Sequence, residues 1–184
     1  VHLPDEDMHI LAERDVRVAY NPVANMKLGM GAPRIEELSR LGVTVCIGTD
    51  GPASNNTLDM FESMKAAALL QKVSYKDSRV LPVETVLRMA TINGAKALGL
   101  EKFVGSLEVG KRADLILVNF DKPHLTPRHD LNANLVYSAR GSDVDTVIVD
   151  GRILMIEREV KTLNEVEAMR KAQQTAQNLV KSVK

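Results

Sequence analysis

The 184-residue chain balances 24 Lys and Arg against 24 Asp and Glu, so no net field draws in nucleic acid, an anionic membrane or an acidic ligand. A single cysteine, Cys46, excludes an intrachain disulfide and fits a reducing compartment, and no apolar run reaches the roughly 18 residues of a membrane span. A cytoplasmic protein with neither nucleic acid nor membrane as partner is the expectation. The opening residues Val1-His2-Leu3-Pro4 carry no initiating methionine and no leader pattern, and they read as the middle of a longer chain.

After Pro4 the acidic triplet Asp5-Glu6-Asp7 suits a helix first turn, and Met8, Ile10, Leu11 and Ala12 supply its apolar stripe. Val16 to Tyr20 alternates as a strand and stops at Asn21-Pro22, because the residue before a proline is pushed out of the helical region. A loop with Asn25, Gly29 and Gly31 follows, then a helix from Ile35 to about Gly42. The run Val43-Thr44-Val45-Cys46-Ile47-Gly48 is almost wholly apolar or β-branched, the pattern of a parallel strand covered on both faces. Leu58 to Val73 and Leu81 to Leu98 each repeat at helical spacing, the second behind Pro82 and Glu84. Strands alternating with helices predict βα units, and two strands are too few for a free-standing sheet.

Past Gly99 the texture changes to short strands set off by Gly105-Ser106, Gly110-Lys111, Asp121-Lys122-Pro123 and Asp150-Gly151. Asp114 to Val118 and Thr146 to Val149 are the clearest strands, with Asp150-Gly151 as a two-residue hairpin turn. Leu163 to Val180, rich in Ala, Gln, Lys and Glu, predicts an exposed terminal helix.

Asp50 is the residue on which chemistry can be hung. It ends a buried strand and enters the loop Gly51-Pro52-Ala53-Ser54-Asn55-Asn56, and catalytic groups of parallel barrels sit at such strand ends. A carboxylate there can ligate a divalent metal and take a proton from water whose pKa the metal lowers to about 7. It can equally cap the following turn. Asn21 and Asn25 could line a pocket or serve their turn. His9, His124 and His129 lack partners at metal-ligand spacing and read as structural or exposed, Met60, Met64 and Met89 as core, and Gly29-x-Gly31 lacks the third glycine of a dinucleotide fingerprint.

Four segments occur in linked order: Asn21 to Gly29, Gly48 to Asn56, Leu58 to Glu62, and Gly105 to Asp114. Together they resemble the amidohydrolase superfamily. Lys122-Pro123-His124-Leu125 and Leu135 to Ala139 make the chain most similar to the 5-methylthioadenosine/S-adenosylhomocysteine deaminases, a branch with chlorohydrolase relatives. The resemblance covers nearly the whole chain. It implies an α/β fold: the last two βα units of a metal-dependent-hydrolase (β/α)8 TIM barrel, plus the C-terminal part of a small β-sandwich that such enzymes build from both chain ends. The implied boundaries are 1–104 for barrel strands seven and eight with their helices, 105–160 for the sandwich part, and 161–184 for a C-terminal helix.

By the same resemblance, histidines from strands one, five and six and an aspartate from strand eight surround the metal, and only the aspartate, Asp50, falls within this sequence. Asp50 is thereby implied as metal ligand, catalytic carboxylate and substrate contact, while Asn25 is a candidate substrate contact from its place after the first strand alone. Val1-His2-Leu3 matches the tail of the strand-six run, with the liganding histidine just before Val1 and His2 as its neighbour. The implied cofactor is one divalent metal, zinc or alternatively iron. The implied activity is deamination of 5′-methylthioadenosine or S-adenosylhomocysteine to the inosyl product and ammonia. Its partners are a purine nucleoside, the N-terminal part of the barrel, since a full barrel takes roughly 250 residues, and further copies in a homo-oligomer. Rival readings are a chlorohydrolase, a guanine deaminase or another amidohydrolase, or a non-catalytic piece that completes a partner. The 184 residues on their own are expected to be inactive, with strand edges open to association.

Overall fold

The computed structural model describes residues 1–183. The acidic first turn starts α1 (Asp5–Glu13) as the sequence predicts, and Met8 is its buried residue. The chain then enters β1 (Val18–Tyr20), shorter than the alternation suggested because it pairs only with β2 (Val45–Ile47), in parallel register Val18↔Val45, Ala19↔Cys46, Tyr20↔Ile47. All three β2 residues are buried, in keeping with a strand covered on both faces.

Several expectations are revised. Residues after Asn21 do not stay a loop: Pro22 stands at the first position of α2 (Pro22–Lys27), where its missing N–H costs nothing and its fixed φ suits a helix. After α3 (Ile35–Arg40) and β2, the Asp50 loop itself contains a single turn, α4 (Pro52–Asn55), again opened by proline. The predicted helix Leu58 to Val73 is α5 (Met60–Tyr75). The predicted Leu81 to Leu98 helix is two, α6 (Val83–Ala90) and α7 (Ile92–Ala97), broken at Thr91 with φ −129° and ψ −98°. Thr91 Oγ1 donates to the Leu87 carbonyl at 2.7 Å, a local bond that competes with continuing the helix.

The second unit is an antiparallel meander of β3 (Leu115–Val118), β4 (Val144–Val149), β5 (Arg152–Ile156) and β6 (Glu159–Val160). Asp150 and Gly151 have φ of 51° and 74°, as a type I′ hairpin turn requires at both central positions. A second such turn at Glu157-Arg158 has no glycine; its positive φ values are held in part by Arg158, whose Nη1 donates to the Ser142 and Val144 carbonyls. Between β3 and β4 lies α8 (Leu131–Tyr137), which the reading as short strands and turns overlooked. Val136 on α8 is fully buried and shares one hydrophobic cluster with Phe61, Met64, Val86 and Met89 of α5 and α6. The chain closes with α9 (Glu165–Val183), exposed along its length to position 182; the last residue of the predicted 161–184 segment, position 184, lies outside the described residues.

Two polar links tie these parts together. Gln71 of α5, with no exposure, donates to Tyr20 Oη at 3.1 Å and to the Pro33 carbonyl at 3.0 Å, joining α5 to the end of β1 and to the loop before α3. Asp59 caps α5 through Oδ1, which accepts from Phe61 N at 2.8 Å, while its Oδ2 accepts from Gly141 N at 2.8 Å. Asp59→Ala removes the cap, worth about 1 kcal/mol, and leaves the partly buried Gly141 N–H unpaired. Urea unfolding is expected to register a loss of about 2 kcal/mol, cap and orphaned donor together. Burial pushes the Tyr20 phenol up to about 12, against the opposing hydrogen bond from Gln71. A proton held more tightly in the folded than in the unfolded state stabilises below the unfolded pKa of about 10 and ceases to do so above the folded one. Stability should therefore decline between pH 10 and about 12, and unfolding titrations of Tyr20→Phe should show a shallower decline.

Candidate functional site

The parallel register places the C-terminal ends of β1 and β2 side by side, so the loops that follow meet at one edge. Gly48 N continues the ladder by donating to the Tyr20 carbonyl at 2.9 Å. Gly48 is a site of close approach, because a Cβ there would come within 2.4 Å of Asn21 Oδ1. Asn21, weighed in the sequence as pocket or turn, thus fills the space that the absent side chain leaves.

Two residues on, Asp50 sits in the left-handed region at φ 61° and is exposed. Asp tolerates that conformation better than most residues because its short side chain can bond locally. Here Gly51 N donates to Asp50 Oδ1 at 2.6 Å, which leaves Oδ2 without a hydrogen bond among the described residues. The turn-cap reading of Asp50 therefore describes one of its oxygens, and the other is open. The loop is held from behind by Asn55, 5% exposed, whose Nδ2 donates to the Thr49 carbonyl at 2.6 Å. From the side, Lys27 of α2 donates through Nζ to the Ala53 carbonyl at 3.1 Å and to Asn56 Oδ1 at 2.5 Å, satisfying the end of α4.

Asn25 is half-buried on α2, which packs against α4, and its side chain makes no hydrogen bond among the described residues. His2 is exposed and lies near Gly31, where a Cβ would meet its Cε1 at 3.8 Å. His9 is exposed on α1, and Met64 and Met89 are buried in the core that Met60 borders. His124 pairs with Asp143, Nε2 to Oδ2 at 2.8 Å, and Asp143 also accepts from Arg140 N. Burial works against the Asp143 charge, but those bonds and the nearby cations outweigh it and hold the carboxyl below the usual range. His124 also walls a cavity of about 580 Å3 with Phe61, Lys65, Tyr137 and Arg140, to whose lining Asp50 does not belong. Burial pushes the Cys46 thiol up, so it behaves as a small core residue.

Sequence reasoning missed Asn55, Lys27 and Asp59. Asp59 was findable, as an Asp directly before an apolar-periodic run is a helix-start signal. Lys27 and Asn55 act across loops and through burial, which spacing does not reveal.

Residues 1–154 match the amidohydrolase family. The chain belongs to that family. A 5-methylthioadenosine/S-adenosylhomocysteine deaminase of Desulforudis audaxviator is 54% identical over 183 residues, covering 100% of this chain and 43% of the relative. A 5′-deoxyadenosine deaminase of Methanosarcina mazei is 51% identical, covering 100% and 42%. Among solved amidohydrolase structures, an adenosine deaminase from Xanthomonas campestris with bound zinc superposes with a TM-score of 0.95 at 37% identity, over 98% of this chain and 41% of that one. The zinc-complexed atrazine chlorohydrolase TrzN from Arthrobacter aurescens gives 0.88 at 26%, over 94% and 38%. The chain thus spans about two fifths of the length of these relatives. The fold expectation holds: the two βα units and the antiparallel sheet match the C-terminal part of an amidohydrolase. No helix among the described residues is long and apolar enough to cross a membrane.

If the Gly48–Asn21 contact fixes the two strand ends, Gly48→Ala should destabilise by about 1–3 kcal/mol through overpacking. Adding Asn21→Ala should restore part of that loss, giving a non-zero coupling in a double-mutant cycle; additive losses would mean that the contact is not what glycine is needed for.

Proposed function

We infer that the protein carrying this segment is a metal-dependent deaminase that hydrolyses the exocyclic amine of 5′-methylthioadenosine or S-adenosylhomocysteine to the inosyl product and ammonia. The observation that carries the reading is the Asp50 carboxylate at the C-terminal end of β2, with Oδ1 taken by Gly51 N and Oδ2 free. Support for the substrate class comes from relatives that bear those activities in their names at 46% to 56% identity.

No cluster of three or more His, Cys, Asp or Glu that could hold a metal occurs among the described residues. Asp50 therefore fits a metal as one ligand among several, with the rest supplied from outside these 184 residues. Zinc is favoured by the zinc-bearing relatives, and iron is the other candidate. Such an ion, when bound, lowers the pKa of water to about 7. The chain's own residues then have distinct tasks. Oδ2 of Asp50 would ligate the metal, and Oδ1, which keeps a second lone pair beside its bond from Gly51 N, would accept the proton of the attacking water and hand it toward the leaving amine. Gly51 N holds Oδ1 and so limits how the carboxylate can turn. Asn25, half-buried beside the loop, lines the substrate pocket.

Residues 1–104 form strands seven and eight of a TIM barrel with their helices, 105–160 one part of a composite sandwich, and the segment from 161 onward carries the terminal helix α9. Ile116 and Leu117, neighbours on β3 and hence on opposite faces, are 46% and 53% exposed, which favours a second layer over this sheet. The intact protein is a cytoplasmic homo-oligomer, in keeping with the single buried Cys46 and a reducing compartment. The chlorohydrolase reading has its own support in the likeness to TrzN, and release of chloride rather than ammonia from a substrate panel would select it.

Asp50→Asn in the intact enzyme should lower kcat at least about 100-fold, the scale of a lost acid–base group, and weaken zinc binding. Near-normal turnover with metal bound would refute the role of Asp50. The 184-residue polypeptide by itself should retain no stoichiometric zinc by elemental analysis and release no ammonia, since structural and catalytic zinc sites use three or more protein ligands.

A further inference from the structure

We propose that Asn55 is a positioning residue for Asp50: its buried amide fixes the Thr49–Asp50 peptide and thereby holds Asp50 in the left-handed conformation that aims Oδ2 outward. The proposal rests on the reading of Asp50 as a metal ligand.

The peptide between Thr49 and Asp50 has its carbonyl on Thr49 and its nitrogen on Asp50, so rotating that plane changes φ of Asp50 directly. Asn55 Nδ2 holds the carbonyl at 2.6 Å, from a side chain only 5% exposed. The anchor is itself anchored. Asn55 closes α4, and its N–H donates to the Gly51 carbonyl at 3.0 Å, while the single proton of the neighbouring Thr57 hydroxyl goes to Glu62 Oε2 at 2.5 Å on α5. Its burial and its backbone bond within α4 thus fix Asn55 behind the peptide that sets Asp50. The left-handed region is unfavourable for a residue with a Cβ and persists only where surroundings over-determine it. On the amide side of Asp50 that determination comes from Asn55, which holds the Thr49 carbonyl, and on the carbonyl side from Gly51 N to Oδ1. With the Asn55 bond removed, the peptide is free to rotate, Asp50 can relax to negative φ, and Oδ2 leaves its direction without any change in the ligand itself.

Partners that orient a metal ligand typically change metal affinity or activity 10–100-fold when lost. The test uses the intact zinc enzyme with Asn55→Leu, which keeps the volume but has no donor, and Asn55→Ser, which stays polar but is too short to reach. Zinc affinity is read by competition with a chelator, kcat and KM separately, and folding by thermal melt. Val136→Ala, a core change on α8 outside the loop, serves as a control for loss of stability alone. The expected result is at least tenfold weaker zinc binding and a similar fall in kcat for both Asn55 variants, with KM within about twofold, and no loss of zinc affinity in Val136→Ala despite its lower melting temperature. Should Asn55→Leu fail to fold, Asn55→Ser carries the comparison. Wild-type zinc affinity and kcat in the Asn55 variants would overturn the proposal, as would an equal loss in Val136→Ala. Asp50→Asn, measured alongside, separates the two levels: if it too retains zinc, the reading of Asp50 fails, whereas loss in Asp50→Asn with none in the Asn55 variants defeats the positioning role alone.

Discussion

The pairing of β1 with β2 is the constraint on which the rest of the site depends. A parallel ladder in the register Tyr20↔Ile47 brings both strand ends to one edge, and every later contact of the candidate site is a consequence of that alignment. Asn21 can occupy the space over Gly48 only because the two strands stop level. Lys27 can reach the end of α4 only because the turn after β1 and the turn after β2 begin side by side. Val45, Cys46 and Ile47 are all buried, so both faces of β2 are covered and alternation does not select the register, whereas the fit of Asn21 over Gly48 is available in this register alone.

The helices protect that register. Gln71 crosses from α5 to Tyr20 and Pro33, and Asn93 on α7 donates to the Val45 carbonyl at 2.9 Å. Gln71 Oε1 has no partner among the described residues, an uncommon state for a buried polar atom, while its NH2 serves two acceptors. Polar groups of this kind add less to net stability than the apolar cluster around Ile35, Leu38, Met64 and Met89, but they decide which of several apolar packings is adopted.

Much of this was legible in the residues. Alternation and helical spacing gave α1, α3, α5 and both strands of the parallel pair, and Asp150-Gly151 gave its hairpin because the turn's chemistry is local. The failures share a cause. Pro22 and Pro52 were read as breakers, where position decides whether proline ends a helix or opens one. The break at Thr91 comes with a local side-chain bond to the Leu87 carbonyl, which many helical threonines make without breaking the helix, and the turn at Glu157-Arg158 is held by a tertiary bond, so neither leaves a clear mark in composition. At the site, the sequence indicated Asp50 as the residue of interest. That one of its oxygens is spoken for, and that Asn55 stands behind it, are facts of geometry.

The Asp59 carboxylate bears on the order in which the molecule assembles. Its Oδ1 finds Phe61 N and Glu62 N two and three residues away, a closure available as soon as α5 begins to form. Its Oδ2 waits for Gly141, 82 residues further along the chain. The entropy of closing a loop that long grows only slowly with length, but it must be met before the bond returns anything. One side chain thus serves both a local nucleus and a late docking event, with α5 as the platform on which the second half of the chain is received.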